Sequence, residues 1–406
     1  SQNSTNYLNT PYFLAIAENK DATFSPRLYA DEKLLIQTEY REVNSKSNHI
    51  ADFSFLAEKD ESLKNHFFYK FNKNLDFVNF EDSKIDLKIQ NTSNDNYLKI
   101  NKLNSKIIND KDVLENSLNL NLYSNDMSID FETTMYENLG ESNNDKFEYI
   151  FPKVNLTKRF DNKTSLNGDF SFRSNNLIRN YNTNVLEKTS INDLIFTSYP
   201  KITGMGFYNN YEFLIKNSNS DSQNSANFKQ DTNVYLSGLF QYNSSLPLIK
   251  DNQNYEKIFK PKLSLKFAPN HSKDKRNATT RIDVDNIYSL SRAAGQDTIE
   301  GGISLSYGSD YSIIKKANSN EIFNLKLANN LRFEENEDLP TNNQIGQKTS
   351  NFFGEVAYSP NDFITTKYNA SIKNNLSDIN YENLITEIKI NNFVTSFDYL
   401  NENNIS

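Results

Sequence analysis

Along most of this sequence apolar and polar side chains alternate with a period of two. Leu34, Ile36, Thr38 and Tyr40 are interleaved with Gln37, Glu39 and Arg41. Leu118, Leu120 and Leu122 alternate with Asn119 and Asn121. The pattern returns at Leu166, Gly168, Phe170 and Phe172, at Leu263, Leu265 and Phe267, and at Ile303, Leu305 and Tyr307. Successive side chains of a strand point to opposite faces, so each run predicts a strand with one apolar and one polar face. No stretch of similar length shows a 3.6-residue period with helix caps.

Turn signals punctuate the runs. Asn109-Asp110, Asn125-Asp126, Asn144-Asp145 and Asp161-Asn162 follow one another at intervals of roughly 15–20 residues. Asn and Asp tolerate positive φ and stand in for Gly, of which there are 11. Between turns there is room for a strand of about ten residues. That suits a tilted membrane-spanning strand of ~9–11 residues and exceeds the ~5–6 usual in soluble sheets. Ten-residue alternating segments between turns are the mark of an outer-membrane barrel. Chain length over this spacing predicts roughly 20–25 strands in an all-β, antiparallel transmembrane barrel.

Composition decides what surrounds the two faces. Hydrophobic residues are 36% of the chain and mean hydropathy is −0.72. A spanning helix needs about 20 apolar residues in a row, and runs such as Tyr12 to Ala17 are far shorter. Such low hydropathy suggests disorder, but 29 Phe and 23 Tyr oppose it. A wide barrel resolves the tension, with lipid against the apolar face and water against the polar one. Closure is then obligatory, because an open strand edge in lipid leaves backbone groups unsatisfied. The competing arrangement is a soluble antiparallel sandwich or elongated sheet with its apolar faces packed together. Asn fills about one position in six, which serves both turns and a polar face.

The 406 residues suggest two or three domains, yet no Pro/Gly/Ser linker divides them. Polar stretches at 217–225 and 270–276 read as solvated loops. No secretory signal stands at Ser1, so the chain is expected to be mature or cut from something longer.

The absence of Cys excludes disulfides and Cys-based zinc sites within this segment. A dispersed net charge of −8 argues against nucleic acid as a partner. His49, His66 and His271 have no paired spacing, so a metal site or a Ser-His-Asp triad would have to be assembled wholly by the fold. No Gly-x-x-x-x-Gly-Lys phosphate loop occurs. No catalytic, cofactor or metal role is therefore expected. Asp31-Glu32 reads as a solvated turn rather than an acid/base couple. Lys315-Lys316 suits phosphate groups on a lipid head, but two charges decide nothing by themselves.

Three stretches resemble one family. Thr10 to Arg27 contains Pro11-Tyr12-Phe13, Ile16-Ala17, Asp21-Ala22-Thr23 and Pro26-Arg27. It is similar to the opening of the barrel in the LptD family, the lipopolysaccharide-assembly or organic solvent tolerance proteins of Gram-negative outer membranes. Leu14 and Glu18 depart from that pattern. Asn94-Asp95-Asn96-Tyr97-Leu98 resembles the family's Ser-Asp-x-Tyr-Leu. Arg292-Ala293-Ala294-Gly295-Gln296-Asp297-Thr298-Ile299-Glu300-Gly301-Gly302 resembles Arg-Phe-x-Gly-x-Asp-Arg-Ile-Glu-Gly-Gly, with Ala293 and Thr298 as departures.

The resemblance implies a barrel of about 26 strands that assembles lipopolysaccharide into the outer leaflet. It also implies a companion LptE-like lipoprotein in the lumen and a periplasmic transport bridge reached through an N-terminal jelly-roll domain. No such domain is seen before Asn9, and the chain ends Asn404-Ile405-Ser406 without the usual terminal aromatic. On this reading residues 1–406 are one barrel domain, a fragment lacking the jelly roll and the last strands. The family route sends the sugar through the polar lumen and releases the molecule sideways between the first and last strands. Energy must then come from elsewhere.

Pro11 and Pro26 fall in or beside the first two expected strands. Proline donates no hydrogen bond to a ladder, so the pair marks a weakened lateral gate or, more plainly, strand ends and bulges. Gly301-Gly302 marks a bulge or close backbone approach, or else simple bending at a barrel corner. Asp297 and Glu300 read as lumen-facing charges or as loop and rim carboxylates. Two other functions stay open: a general porin or nutrient channel, and a soluble or surface-attached β-rich adhesion module.

Overall fold

The computed structural model describes residues 6–141, 143–161, 166–228, 230–269, 272–292 and 295–402. Ser1, Asn162, Asn270, His271, Ala293, Ala294 and Asn404-Ile405-Ser406, all of which figure in the expectations above, lie outside the described residues.

The strands are β1 Tyr7–Asn9, β2 Tyr12–Ala17, β3 Lys20–Tyr29, β4 Leu34–Val43, β5 Ser47–Ala57, β6 Lys64–Asn74, β7 Asp82–Thr92, β8 Val113–Ser124, β9 Met127–Asn138, β10 Phe147–Phe160, β11 Gly168–Tyr181 and β12 Val185–Ser198. There follow β13 Lys201–Ile202, β14 Tyr208–Gln223, β15 Asn233–Ser245, β16 Leu248–Asp251, β17 Tyr255–Ala268, β18 Gly302–Lys315, β19 Asn320–Arg332, β20 Phe352–Asn361, β21 Ile364–Ile372, β22 Ile379–Ile390 and β23 Phe393–Glu402. All belong to one sheet. From β3 to β10 and from β17 to β23 each strand pairs antiparallel with the next. The helical content is one turn, α1 Tyr97–Ile100, and a 3-10 turn at Asn144–Lys146.

Exposure follows the alternation, but inverted relative to a soluble protein. On β17, Ser264 and Lys266 are buried, while Leu263, Leu265 and Phe267 are 39%, 38% and 48% exposed. On β14, Ser218, Ser220 and Ser222 are buried, while Phe213 and Ile215 are exposed. A soluble sandwich packs its apolar faces together; here the apolar faces are the open ones. That is the arrangement a surrounding bilayer requires. No described helix is long and apolar enough to cross a membrane.

Two expectations need correction. The stretch 217–225 is no loop: its residues through Gln223 belong to β14. There Ser218, Ser220 and Ser222 face the buried side of the sheet, while Asn217, Asn219 and Asp221 take the alternate positions on its other face. Asn109-Asp110 is not a tight hairpin but lies inside a longer connection, 93–112. Asn125-Asp126 does form the short β8–β9 turn. Asn143, Asn182, Asn224 and Asn391 adopt positive φ, as expected of Gly substitutes.

The chain forms two compact units. One comprises Ser1–Arg159, Phe172–Ser190 and Asn219–Val234; the other comprises Phe160–Ser171, Ile191–Ser218 and Tyr235–Ser406. In the first, Tyr97, Leu98, Leu103 and Ile107 of the 93–112 connection pack with Leu35, Leu56, Phe68 and Leu114 of the strands. In the second, Ile282, Val284 and Ile287 of the 269–301 connection pack with Ala328, Leu339, Ile345 and Phe353. Burying a side chain of this size stabilises by about 1.5–3 kcal/mol, so each connection has its own apolar anchor.

Candidate functional site: segments docked on the polar face

In the first unit, polar side chains of the strands hold the 93–112 segment by its backbone. Arg27 Nη1 donates to the Asn101 carbonyl at 2.7 Å. Gln37 Nε2 donates to the Asn104 carbonyl at 3.0 Å, and Gln90 Nε2 to the Ile107 carbonyl at 3.1 Å. Tyr97 adds a side-chain link, its hydroxyl lying 2.7 Å from Ser54 Oγ. Burial pushes the Tyr97 phenol above its ordinary range and keeps it protonated.

Ser54 Oγ also lies 2.6 Å from His66 Nδ1, and His66 Nε2 lies 3.2 Å from Asp52 Oδ1. The fold has thus assembled a Ser-His-Asp relay from residues without any telling spacing. Ser54 is 0% exposed and its hydroxyl already bonds Tyr97, so no substrate carbonyl reaches it. The relay braces the docked segment.

The second unit repeats the scheme with more charge. Lys216 Nζ donates to the Gln296 carbonyl at 2.7 Å, Gln241 Nε2 to the Tyr288 carbonyl at 2.6 Å and Lys266 Nζ to the Ser289 carbonyl at 2.5 Å. Arg332 donates to the Gly301 carbonyl and, at 2.7 Å, to Glu300 Oε1. Arg292 donates from Nε and Nη2 to the two oxygens of Glu300, from Nη1 to the Ile287 carbonyl, and to Ser304, Ser306 and Asn330. Glu300 is 3% exposed and faces three buried cations, Lys266 at 3.8 Å and the two arginines. Burial alone would raise its carboxyl; Arg292, ahead of the other cations, overrides burial and holds it well below its ordinary range. Glu300 is thus a loop carboxylate, but a buried and ion-paired one rather than a solvated one at a rim. Asp297 is likewise ion-paired, 3.2 Å from both Lys273 and Lys275. Burial opposes its charge, and the two lysines more than offset that and lower its pKa.

The glycines of this motif are needed where they stand. Gly302 opens β18 at φ +93°, and the Arg332 guanidinium occupies the space beside it, 2.8 Å from where a Cβ would lie. Gly295 has φ +94°, with Asp297 Oδ1 2.9 Å from its would-be Cβ. Close approach accounts for Gly302 better than bending at a corner. Gly301 contributes its backbone, donating to Ser272 Oγ at 2.9 Å. A further connection, 333–351, ties to the same segment through Lys275 N to the Asp338 carbonyl at 2.7 Å and Asn343 Nδ2 to the Thr280 carbonyl at 2.8 Å.

At the N-terminus the two prolines meet. Asn9 pairs with Arg27 and Tyr12 with Phe24, so one register runs through β1 and β2 against β3. Thr10 thus stands opposite Pro26, and Pro11 opposite Ser25. The ladder is interrupted there, bridged by Thr10 N donating to the Pro26 carbonyl at 3.2 Å. Pro26 is not at a strand end but inside β3, in register with Ile36 of β4. All six residues of β2 are exposed, Tyr12 among them. Asp21 accepts from Arg41 at 2.8 Å, and Arg27 lies over the Tyr7 ring.

The motifs therefore pointed to Arg27, Tyr97, Arg292 and Glu300. They missed the strand residues that complete the docks: Gln37, Gln90, Lys216, Gln241, Lys266 and Arg332. Each is a long polar side chain on the buried face of a strand, a weak signal that only repetition would strengthen.

Comparison with known families now bears on these docks. The family model for LptD, the LPS transport system D protein, matches residues 64–406, which include both docked segments. This chain belongs to that family. Membership places it in the outer membrane, as the exposed apolar strand faces require. The motif at Thr10 to Arg27 precedes the matched span. Among curated relatives, the LPS-assembly protein LptD of Pseudoalteromonas atlantica is 27% identical over 176 residues, 42% of this chain and 22% of that protein. This chain thus matches about a fifth of the length of that LptD. Among solved structures, the alcaligin outer-membrane receptor FauA of Bordetella pertussis aligns over 97% of this chain and 72% of its own. The TM-score is 0.31 and the identity 7%, too distant a likeness to bear on function.

Proposed function

We propose that this chain helps place lipopolysaccharide in the outer leaflet of the outer membrane. The family match carries this reading. The saccharide part moves along the polar face of the sheet, past the docked segments, and the molecule leaves sideways at the N-terminal strands. The interrupted ladder at Pro11 and Pro26 supports a gate there. Pro26 withholds one hydrogen bond from the β2–β3 ladder, worth a net ~0.5–1.5 kcal/mol, and Pro11, one position along from the bonded Thr10, turns its nitrogen away from β3. An LptE-like lipoprotein and a periplasmic bridge are the partners that this role calls for.

The test is Pro11→Ala with Pro26→Ala in the full-length protein. A restored ladder is expected to slow the appearance of lipopolysaccharide at the cell surface and to raise permeability to large antibiotics. Unchanged surface delivery by a stably inserted variant overturns the gate.

A further inference from the structure

The outward face of β16 and β17 carries an unusual pair. Lys250 and Lys257 are register partners, and partners directly across a ladder share a face with Cβ atoms about 4.5–5.5 Å apart. Like charges so placed repel. Among the described residues neither ammonium has a carboxylate partner, whereas the nearby Lys316 pairs with Asp251 at 3.3 Å. Lys315, opposite Tyr255, adds a third lysine to the same face.

The neighbours of the pair are apolar. Leu248 pairs with Phe259, and Phe259 with Tyr311, one step further along the same face. Leu248 and Phe259 are exposed, as are Leu263 and Leu265 beyond them. Leu248, Ile249, Phe259, Tyr311 and the two lysines line a cavity of about 380 Å³. The face thus runs from hydrocarbon-compatible residues to unpaired cations within a few residues, the profile of a bilayer interface.

We propose that Lys250 and Lys257 bind the phosphate of an anionic lipid headgroup, with the lipid's acyl chains lying along Leu248, Phe259 and Tyr311. One phosphate between the two ammoniums turns a repulsive cross-strand pair into an attractive cluster. The inference rests on the membrane location and not on the transport role.

Native mass spectrometry of the detergent-solubilised full-length protein tests it, with phosphatidylglycerol, phosphatidylcholine and inorganic phosphate as probes. The variant Lys250→Gln with Lys257→Gln is expected to retain about fivefold less phosphatidylglycerol, with phosphatidylcholine unchanged. Lys250→Arg with Lys257→Arg is expected to keep the lipid, which separates charge from misfolding. Equal retention by the Gln variant overturns the site. So does a parallel loss of phosphatidylcholine, which leaves only apolar contact, or full displacement of the lipid by equimolar inorganic phosphate, which leaves a free-anion site.

Discussion

Arg292 and Glu300 face each other edge to edge, Nε to Oε2 at 2.6 Å and Nη2 to Oε1 at 2.7 Å, both side chains 2% exposed. The pair lies within one docked segment, and Arg292 reaches from it to Ser304, Ser306 and Asn330 on the strands. It is the joint between the segment and the sheet.

Breaking one side of a buried pair leaves the other charge without compensation, at a cost of about 3–5 kcal/mol. Arg292→Ala or Glu300→Ala is therefore expected to release residues 269–301 to protease while the strands stay resistant. Arg292→Met with Glu300→Leu should be milder than either single change. Limited proteolysis in detergent, followed by mass mapping, reads the difference.

Acid should loosen the same joint. The Glu300 and Asp297 carboxyls are both held below their ordinary values of 4.5 and 3.8. Groups so lowered contribute their full stability above those values and lose it as pH falls through the folded-state pKa. Protection of 269–301 is expected to fall as pH drops below about 4. A rise in protection on acidification contradicts the assignment. Hydrogen exchange of the segment against pH is the measurement.

Gly308 on β18 is a seat for Tyr288. A Cβ there would lie 2.1 Å from the Leu327 carbonyl oxygen and 2.4 Å from the Tyr288 hydroxyl. Gly308→Val is expected to lower the unfolding temperature and to displace Tyr288; overpacking of this kind costs about 1–3 kcal/mol. Gly204, with nothing within 4 Å of its would-be Cβ, is the control, and Gly204→Ala should leave heat-modifiability on gels unchanged.

The sheet was legible in the sequence because every residue of a strand reports which face it is on. Leu263, Ser264, Leu265, Lys266 and Phe267 needed no partner to show it. The docks were legible only where a motif crossed them. Their bonds join residues far apart in the chain, such as Arg27 with Asn101 or Tyr381 with the Ile282 carbonyl, and no local period records such a pairing. The stretch 217–225 misled because a strand with a polar buried face and a solvated loop draw on the same residues. Composition separates loop from strand only when the strand's hidden side is apolar.

The docks also have an asymmetry. The strands contribute side chains, while the segments mostly contribute backbone carbonyls, at Asn101, Asn104, Ile107, Tyr288, Ser289 and Gln296. A carbonyl is present whatever residue carries it. The inserted segments are therefore free to drift in sequence at these contact points without losing their hold, while Gln37, Gln90, Lys216, Gln241 and Lys266 are not. Randomised libraries of the two partners should differ accordingly, tolerant on the segment and intolerant on the strand.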